Sequence, residues 1–233
     1  MSSAKVGPAP ADSAASISTL LVLLQRAYGE FLWRPHHDAI SELILTILSQ
    51  HTSDTNSGRA FANLIAVFPD WEAIRTAEPS AISDAVRAAG LSTQKGPRIK
   101  RVLEQIKQER GSYDLRFLAE LPVAEARAWL TALPGVGPKT AACVLLFALG
   151  RPALPVDTHV HRVSKRLGLL PAKATADAAH HMLEALVPAK EYYPFHMGLI
   201  EHGRRVCKAP VPRCGECILA EICPSAFRAA RSS

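Results

Sequence analysis

No apolar run in this sequence approaches the roughly twenty residues that a membrane-spanning helix needs. The opening stretch MSSAKVGPAPADSAAS also lacks the hydrophobic centre of a secretory signal. A soluble, intracellular chain is expected, cytoplasmic or nucleoid-associated if the source is bacterial. No segment alternates apolar and polar residues as a half-buried strand would, and no internal repeat is visible, which argues against sheet-based and solenoid folds. Cysteine is absent before Cys143, and the remaining four thiols crowd into residues 207–223. Such crowding reads as a ligand set before it reads as a disulfide framework. The histidine pairs His36-His37, His159-x-His161 and His180-His181 lack accompanying Asp, Glu or Cys at ligand spacing, so they read as solvated or packing residues.

What the sequence does hold is ample apolar material, 48% of 233 residues, enough for a self-sufficient core. The formal net charge is +6, and it is unevenly spread: residues 1–150 carry 15 Lys+Arg against 14 Asp+Glu, whereas residues 151–233 carry 12 against 7. A basic surface toward the C-terminus and an anionic partner such as nucleic acid follow. Helical spacing recurs over 17–28, 39–48, 55–68, 71–77, 81–89, 98–109, 123–130, 138–149, 158–167, 175–186 and 194–203. Asp54 and Asp70 stand where helices should start, and Gly90, Gly111, Gly150 and Gly168 where they should stop. The chain is therefore expected to be all-α, with a flexible Ala/Ser/Pro-rich tail over residues 1–16.

Between two helical segments lies Leu133-Pro134-Gly135-Val136-Gly137-Pro138-Lys139-Thr140-Ala141. Gly135 and Gly137 allow a tight turn with exposed backbone N–H groups, and Pro138 opens a helix whose positive end favours an anion, a combination suited to gripping a DNA phosphate. Lys139 is almost wholly ammonium at neutral pH with an unperturbed pKa of about 10.4, but the helix start and desolvation both push that value down. Asp157 lies eighteen residues on, within a reach that a helix and a short extended segment can fold back. A carboxylate brought beside an amine could stabilise developing positive charge while the amine acts as a nucleophile. Further on, Cys207-x6-Cys214-x2-Cys217-x5-Cys223 could converge on one iron–sulfur cubane or one tetrahedral zinc, and the thiols alone do not separate the two. Arg204, Arg205, Lys208 and Arg213 surround that loop as a phosphate-contact surface or a solvated rim. Lys95, Arg98, Lys100 and Arg101 form an acid-free run that could touch phosphate or begin a solvated helix.

The hairpin string, followed by Val156-Asp157-Thr158-His159-Val160, resembles the helix-hairpin-helix DNA glycosylases of the endonuclease III family, and the likeness runs from about residue 20 to 225. The resemblance matches Lys139 and Asp157 to the family's catalytic pair and the unequal cysteine spacing to its [4Fe–4S] segment. It matches Gln50, in Leu48-Ser49-Gln50-His51-Thr52-Ser53-Asp54, to a residue filling the space left by an extruded nucleotide, and Leu91, in Gly90-Leu91-Ser92-Thr93-Gln94-Lys95, to an apolar wedge. His51 and Pro138 depart from the commonest family strings. Glu42 belongs beside the base pocket or in an arginine pair, outside the catalytic set. The implied architecture is a helical lobe over 31–150 and a cluster lobe from 17–30 with 151–233, flanking a DNA cleft. The implied activity is a monomeric, bifunctional glycosylase/AP lyase acting on damaged bases or abasic sites in double-stranded DNA. Oxidised pyrimidines are the default substrates. Mispaired uracil or thymine is the alternative, as is a noncatalytic DNA-binding iron–sulfur protein. An adenine-mismatch glycosylase would lack Lys139, and an electron carrier would not need the hairpin.

Overall fold

The computed structural model describes residues 13–227, and every regular element among them is helical. In chain order these are α1 (Ser13–Tyr28), α2 (Ala39–Ser49), α3 (Asp54–Val67), α4 (Trp71–Thr76), α5 (Pro79–Ala85), α6 (Ser92–Arg110), α7 (Val123–Thr131), α8 (Pro138–Cys143), α9 (Thr158–Arg166), α10 (Ala176–Leu186) and α11 (Tyr192–Arg205). Residues 1–12 of the expected tail lie outside the described range, while Ser13 to Ser16 correct that reading because they already form the first turn of α1. The chain divides into two compact units, Trp33–Pro155 and the residues through Leu32 joined by those from Val156 on. No described helix is long and apolar enough to cross a membrane.

The Trp33–Pro155 unit is organised around α2. Leu43, Ile44, Ile47 and Leu48 are wholly buried there, so the helix is apolar on nearly all sides. Its neighbours contribute Leu64 from α3, Ile99, Val102, Leu103 and Ile106 from α6, Leu130 from α7, and Ala141 and Ala142 from α8. Each large aliphatic side chain so buried contributes about 1.5–3 kcal/mol against conformational entropy. In the other unit, Ile17, Leu20 and Leu24 of α1 are buried, and α1 packs on α11. Gly198 permits that approach, since a Cβ there would come 3.0 Å from Leu24.

Local chemistry moves several expected boundaries. Asp70 caps α4 as expected, accepting from Ala73 N at 2.7 Å, but the cap of α3 is Ser53 and not Asp54. Helix α6 begins six residues before the periodic stretch at 98–109, so Ser92 to Lys95 are its first turn and not a loop. Gly96-Pro97 hides that turn from a propensity reading, because both residues disfavour helix interiors. Gly96 earns its place by contact: a Cβ there would lie 2.4 Å from Ser83 Oγ and 2.8 Å from Ser83 N on α5. The segment expected as one helix over 138–149 is broken in two, with α8 ending at Cys143 and a π-type turn running from Val144 to Ala148. That turn is held by Trp33, whose Nε1 donates to Leu146 O at 2.7 Å, and by His36 stacked on Phe147 at 5.0 Å.

The α5–α6 approach leaves no room for a side chain at position 96. Gly96→Val is expected to lower stability by about 1–3 kcal/mol through overpacking, read as a fall in urea midpoint with an unchanged slope.

Candidate active site and cysteine centre

After α7 the chain turns through Leu133 to Gly137, with Val136 N donating to Leu133 O at 3.1 Å and both apolar side chains buried beneath the turn. Gly135 has φ +72°, so the backbone favours glycine, and a Cβ there would also displace the Arg98 side chain, whose Nε would lie 2.5 Å away. Gly137 is different. Its φ of −96° suits any residue, and a Cβ would meet nothing within 4 Å. The folded chain itself makes no demand for glycine at 137.

Lys139 stands half-buried in the first turn of α8. Glu42 of α2 interacts electrostatically with it and with His37. The Glu42 carboxyl is 5% exposed, its Oε1 accepts from Thr46 Oγ1 at 3.2 Å, and its Oε2 has no hydrogen-bond partner among the described residues. Burial therefore raises its pKa, opposed by Thr46, His37 and Lys139. No described arginine pairs with it, which corrects one of the two environments expected for this residue.

Three of the four cations of the basic run on α6 are engaged within the fold, and Arg101 is exposed. Lys95 is 2% exposed, and its Nζ donates to Leu48 O and Ala89 O, each at 2.8 Å. Burial and the nearby Arg98 lower its pKa. Lys100 Nζ donates to Arg75 O and Ala77 O at 2.8 Å, closing the end of α4. Arg98 Nη1 donates to Gln50 Oε1 at 2.7 Å, while Gln50 Nε2 donates to Gly135 O at 3.3 Å and Thr140 Oγ1 at 3.4 Å. The structure thus draws Gln50, Arg98, Gly135 and Thr140 into one network under the hairpin. Leu91, 49% exposed, stands at the start of α6 with left-handed φ 47°.

In the other unit Asp157 caps α9, its Oδ1 accepting from Val160 N at 2.7 Å. The cap fixes the carboxylate's position at the helix start. Along α9, Arg162 and Arg166 reach the cysteine segment. Arg162 Nε donates to Cys207 O at 3.1 Å, and Arg166 Nη1 donates to Lys208 O at 2.7 Å and to Cys207 Sγ at 3.3 Å. Cys223 Sγ donates to Arg166 O at 3.3 Å. Cys207, Cys214, Cys217 and Cys223 all line a single pocket that is partly open to solvent. His202 also borders it, 3.5 Å from Cys217 Sγ and 2.9 Å from Tyr28 O–H, and burial lowers the imidazole to about 4. Burial raises Cys217 and Cys223, reinforced by the neighbouring sulfurs. Among the described residues, no three His, Cys, Asp or Glu side chains form a ready single-ion site. Cys143 is buried in α8, in keeping with a packing role. Of the expected phosphate contacts, Lys208 is half-buried, and Arg213 lies 3.8 Å from Glu216. Arg205 pairs with Glu201 at 2.8 Å.

Arg162, Arg166 and His202 escaped the sequence reading as site residues, and Lys95 and Arg98 entered it only within a run read as phosphate-facing or solvated. The one available signal was the four-residue spacing of Arg162 and Arg166, which puts both on one face of α9.

The unit holding the hairpin has the architecture of helix-hairpin-helix DNA repair proteins, and the family of HhH-GPD superfamily base excision DNA repair proteins matches residues 44–189. Endonuclease III of Thermotoga maritima is 36% identical over 186 residues, covering 80% of this chain and 83% of that protein. Endonuclease III of Synechocystis is 33% identical, covering 89% and 91%. A putative DNA glycosylase of Arabidopsis thaliana is 39% identical over 162 residues, of whose length this chain spans 55%. A non-covalent endonuclease III–DNA complex superposes with a TM-score of 0.81 at 26% identity, covering 94% of this chain and 99% of the other. The chain belongs to the endonuclease III family of base excision repair enzymes, which are DNA glycosylases with AP lyase activity.

The raised pKa of Glu42 carries a definite sign. The folded state holds that proton more tightly than the unfolded chain, so stability falls as pH rises from the ordinary value of 4.5 through the raised one. The urea midpoint of Glu42→Gln, relative to the parent, is expected to improve steadily as pH is raised across that window.

Proposed function

We propose that this chain removes damaged pyrimidines, chiefly oxidised ones, from double-stranded DNA as a monomer and then nicks the strand by β-elimination. The observation that carries the reading is the hairpin. It presents Lys139 two residues after Gly137, a glycine that the protein's own packing does not require. Open space at its Cβ position suits the close approach of a phosphate to the hairpin backbone. A solved endonuclease III has been trapped as a covalent intermediate with DNA, and this chain superposes on it with a TM-score of 0.81 at 26% identity.

In the proposed reaction, Lys139 in its neutral form attacks C1′ of the extruded nucleotide. The C1′–N bond breaks, its electron pair leaves with the base, and the base takes up a proton. Asp157 supplies negative charge against the cationic sugar as that bond lengthens. The sugar ring opens to leave an iminium between C1′ and Lys139 Nζ. Loss of a proton from C2′ then expels the 3′-phosphate, and water releases the lysine. Glu42 helps hold Lys139 near the pocket through its electrostatic interaction, without taking part in bond breaking.

The cysteine quartet fits a [4Fe–4S] cluster. Four soft donors surround one cavity, and two of them are held above their ordinary pKa by burial and by neighbouring sulfur, an arrangement that a polycationic core would relieve. Cys207, Cys214, Cys217 and Cys223 would hold it. Bound there, it would supply four metal–thiolate attachments in place of a hydrophobic core. Arg162 and Arg166 fix the loop by hydrogen bonds to its carbonyls.

Lys139→Gln is expected to abolish borohydride trapping on an abasic-site duplex, and persistent trapping would refute the assignment. Asp157→Asn keeps a side chain able to cap α9, so folding should survive while base release slows by roughly 100- to 1,000-fold. Anaerobically purified protein should carry iron and acid-labile sulfide in equal amounts, and Cys217→Ser should lose both. Stoichiometric zinc without iron would overturn the cluster.

A further inference from the structure

Helix α11 sends one polar ring into the interior beside the thiol loop. His202 is 1% exposed, and both of its ring nitrogens are engaged: Nδ1 lies 2.9 Å from Tyr28 Oη of α1, and Nε2 lies 3.5 Å from Cys217 Sγ. Its carbonyl accepts from Cys207 N at 2.8 Å. One residue therefore holds the first cysteine through its backbone and faces the third through its ring. An aliphatic side chain would be buried there without desolvating two nitrogens, so burial alone does not explain a histidine at this place.

The direction of each hydrogen bond follows from what a ligating cysteine is. A thiolate bound to metal carries no proton and only accepts. Nε2 must then hold the hydrogen and donate it to Cys217 Sγ. The neutral imidazole has a single N–H, which leaves Nδ1 bare, so the Tyr28 O–H is the donor to Nδ1. Tyr28 is itself held, because the Arg205 guanidinium lies 5.5 Å from its ring centroid and pairs with Glu201 at 2.8 Å. The tyrosine hydroxyl thus selects the tautomer that presents N–H to sulfur. Arg166 brings a second side-chain donor to the loop, at Cys207 Sγ.

We infer that His202, oriented by Tyr28, is a positioning residue for the cluster, and that its hydrogen bond to the Cys217 thiolate raises the cluster's reduction potential and slows its loss of iron. The inference rests on the proposed reading of the four cysteines as a [4Fe–4S] site. Reduction adds negative charge that the ligating sulfurs share, so a hydrogen bond to sulfur stabilises the reduced form more than the oxidised one. Tyr28 acts one bond further out. Without its hydroxyl, Nδ1 is free to take the hydrogen and the donor to sulfur is lost part of the time.

The test uses full-length protein purified anaerobically, with folding checked by circular dichroism and loading by iron and sulfide content. The reduction potential is read by protein-film voltammetry, and iron loss by its rate of transfer to bathophenanthroline. Tyr28→Phe, which removes only the hydroxyl, should load fully, shift the potential to a more negative value and release iron faster. His202→Phe should move both readouts further in the same directions, with iron release roughly threefold to tenfold faster than in the parent, the range of a net hydrogen bond. His202→Gln, whose amide keeps an N–H donor, should return both readouts toward the parent. The inference is overturned if fully loaded Tyr28→Phe matches the parent in both readouts, or if His202→Gln stands no closer to the parent than His202→Phe does. A parent that holds zinc and no iron refutes the cluster reading itself, whereas an iron-loaded parent whose variants share its potential refutes this inference alone.

Discussion

A single ammonium group buried under two turns fixes much of what the helical unit presents. Lys95 sits where α2 and the short turn ending at Ala89 both run out of internal hydrogen bonds, and it satisfies a carbonyl of each. Orphan carbonyls at helix ends must find donors, and a buried charge must find acceptors. One side chain answers both needs. Because α6 carries Lys95, the position of α6 against α5 dictates where the turns at 51 and 91 stand. That position depends in turn on the bare Cα of Gly96 against Ser83.

A similar division of labour governs the other unit. Residues 207–223 bury little apolar surface beyond Cys207 and Leu219, so hydrophobic burial does little to organise them. Their carbonyls are instead collected by Arg162 and Arg166 from one face of α9, and the same helix begins at Asp157. The proposed catalytic carboxylate and the arginines that hold the thiol loop are thus rigidly linked through one helix of nine residues. A disturbance of the loop has a short path to Asp157.

Much of this was legible in residue order. The helical class followed from apolar spacing, the Asp70 cap from its place before a periodic run, and the hairpin from paired glycines. The thiol set was visible from crowding. What residue order hid has physical reasons. Gly96-Pro97 masked the first turn of α6 because packing against Ser83 overrides propensity. The π-type turn at 144–148 leaves no trace in a run of buried aliphatics, which satisfies either helical geometry. The run Lys95 to Arg101 looked like a solvated or phosphate-facing surface because sequence does not reveal that carbonyl ends of other helices converge on it. Gln50 matched a family string, but its bonds to Gly135 and Thr140 could not be read from residue order, because they depend on the hairpin folding back onto the end of α2.

Gly137 adds a different kind of information. A residue free to be anything, in ordinary backbone conformation with empty space at its Cβ position, is nonetheless the one that most enlarges the entropy of the unfolded chain. The isolated protein is therefore less stable by roughly 0.4–1 kcal/mol than it would be with alanine there. It carries that handicap continuously, bound or not. On the proposed reading of the hairpin as a phosphate grip, that glycine is a small standing sacrifice of stability for access.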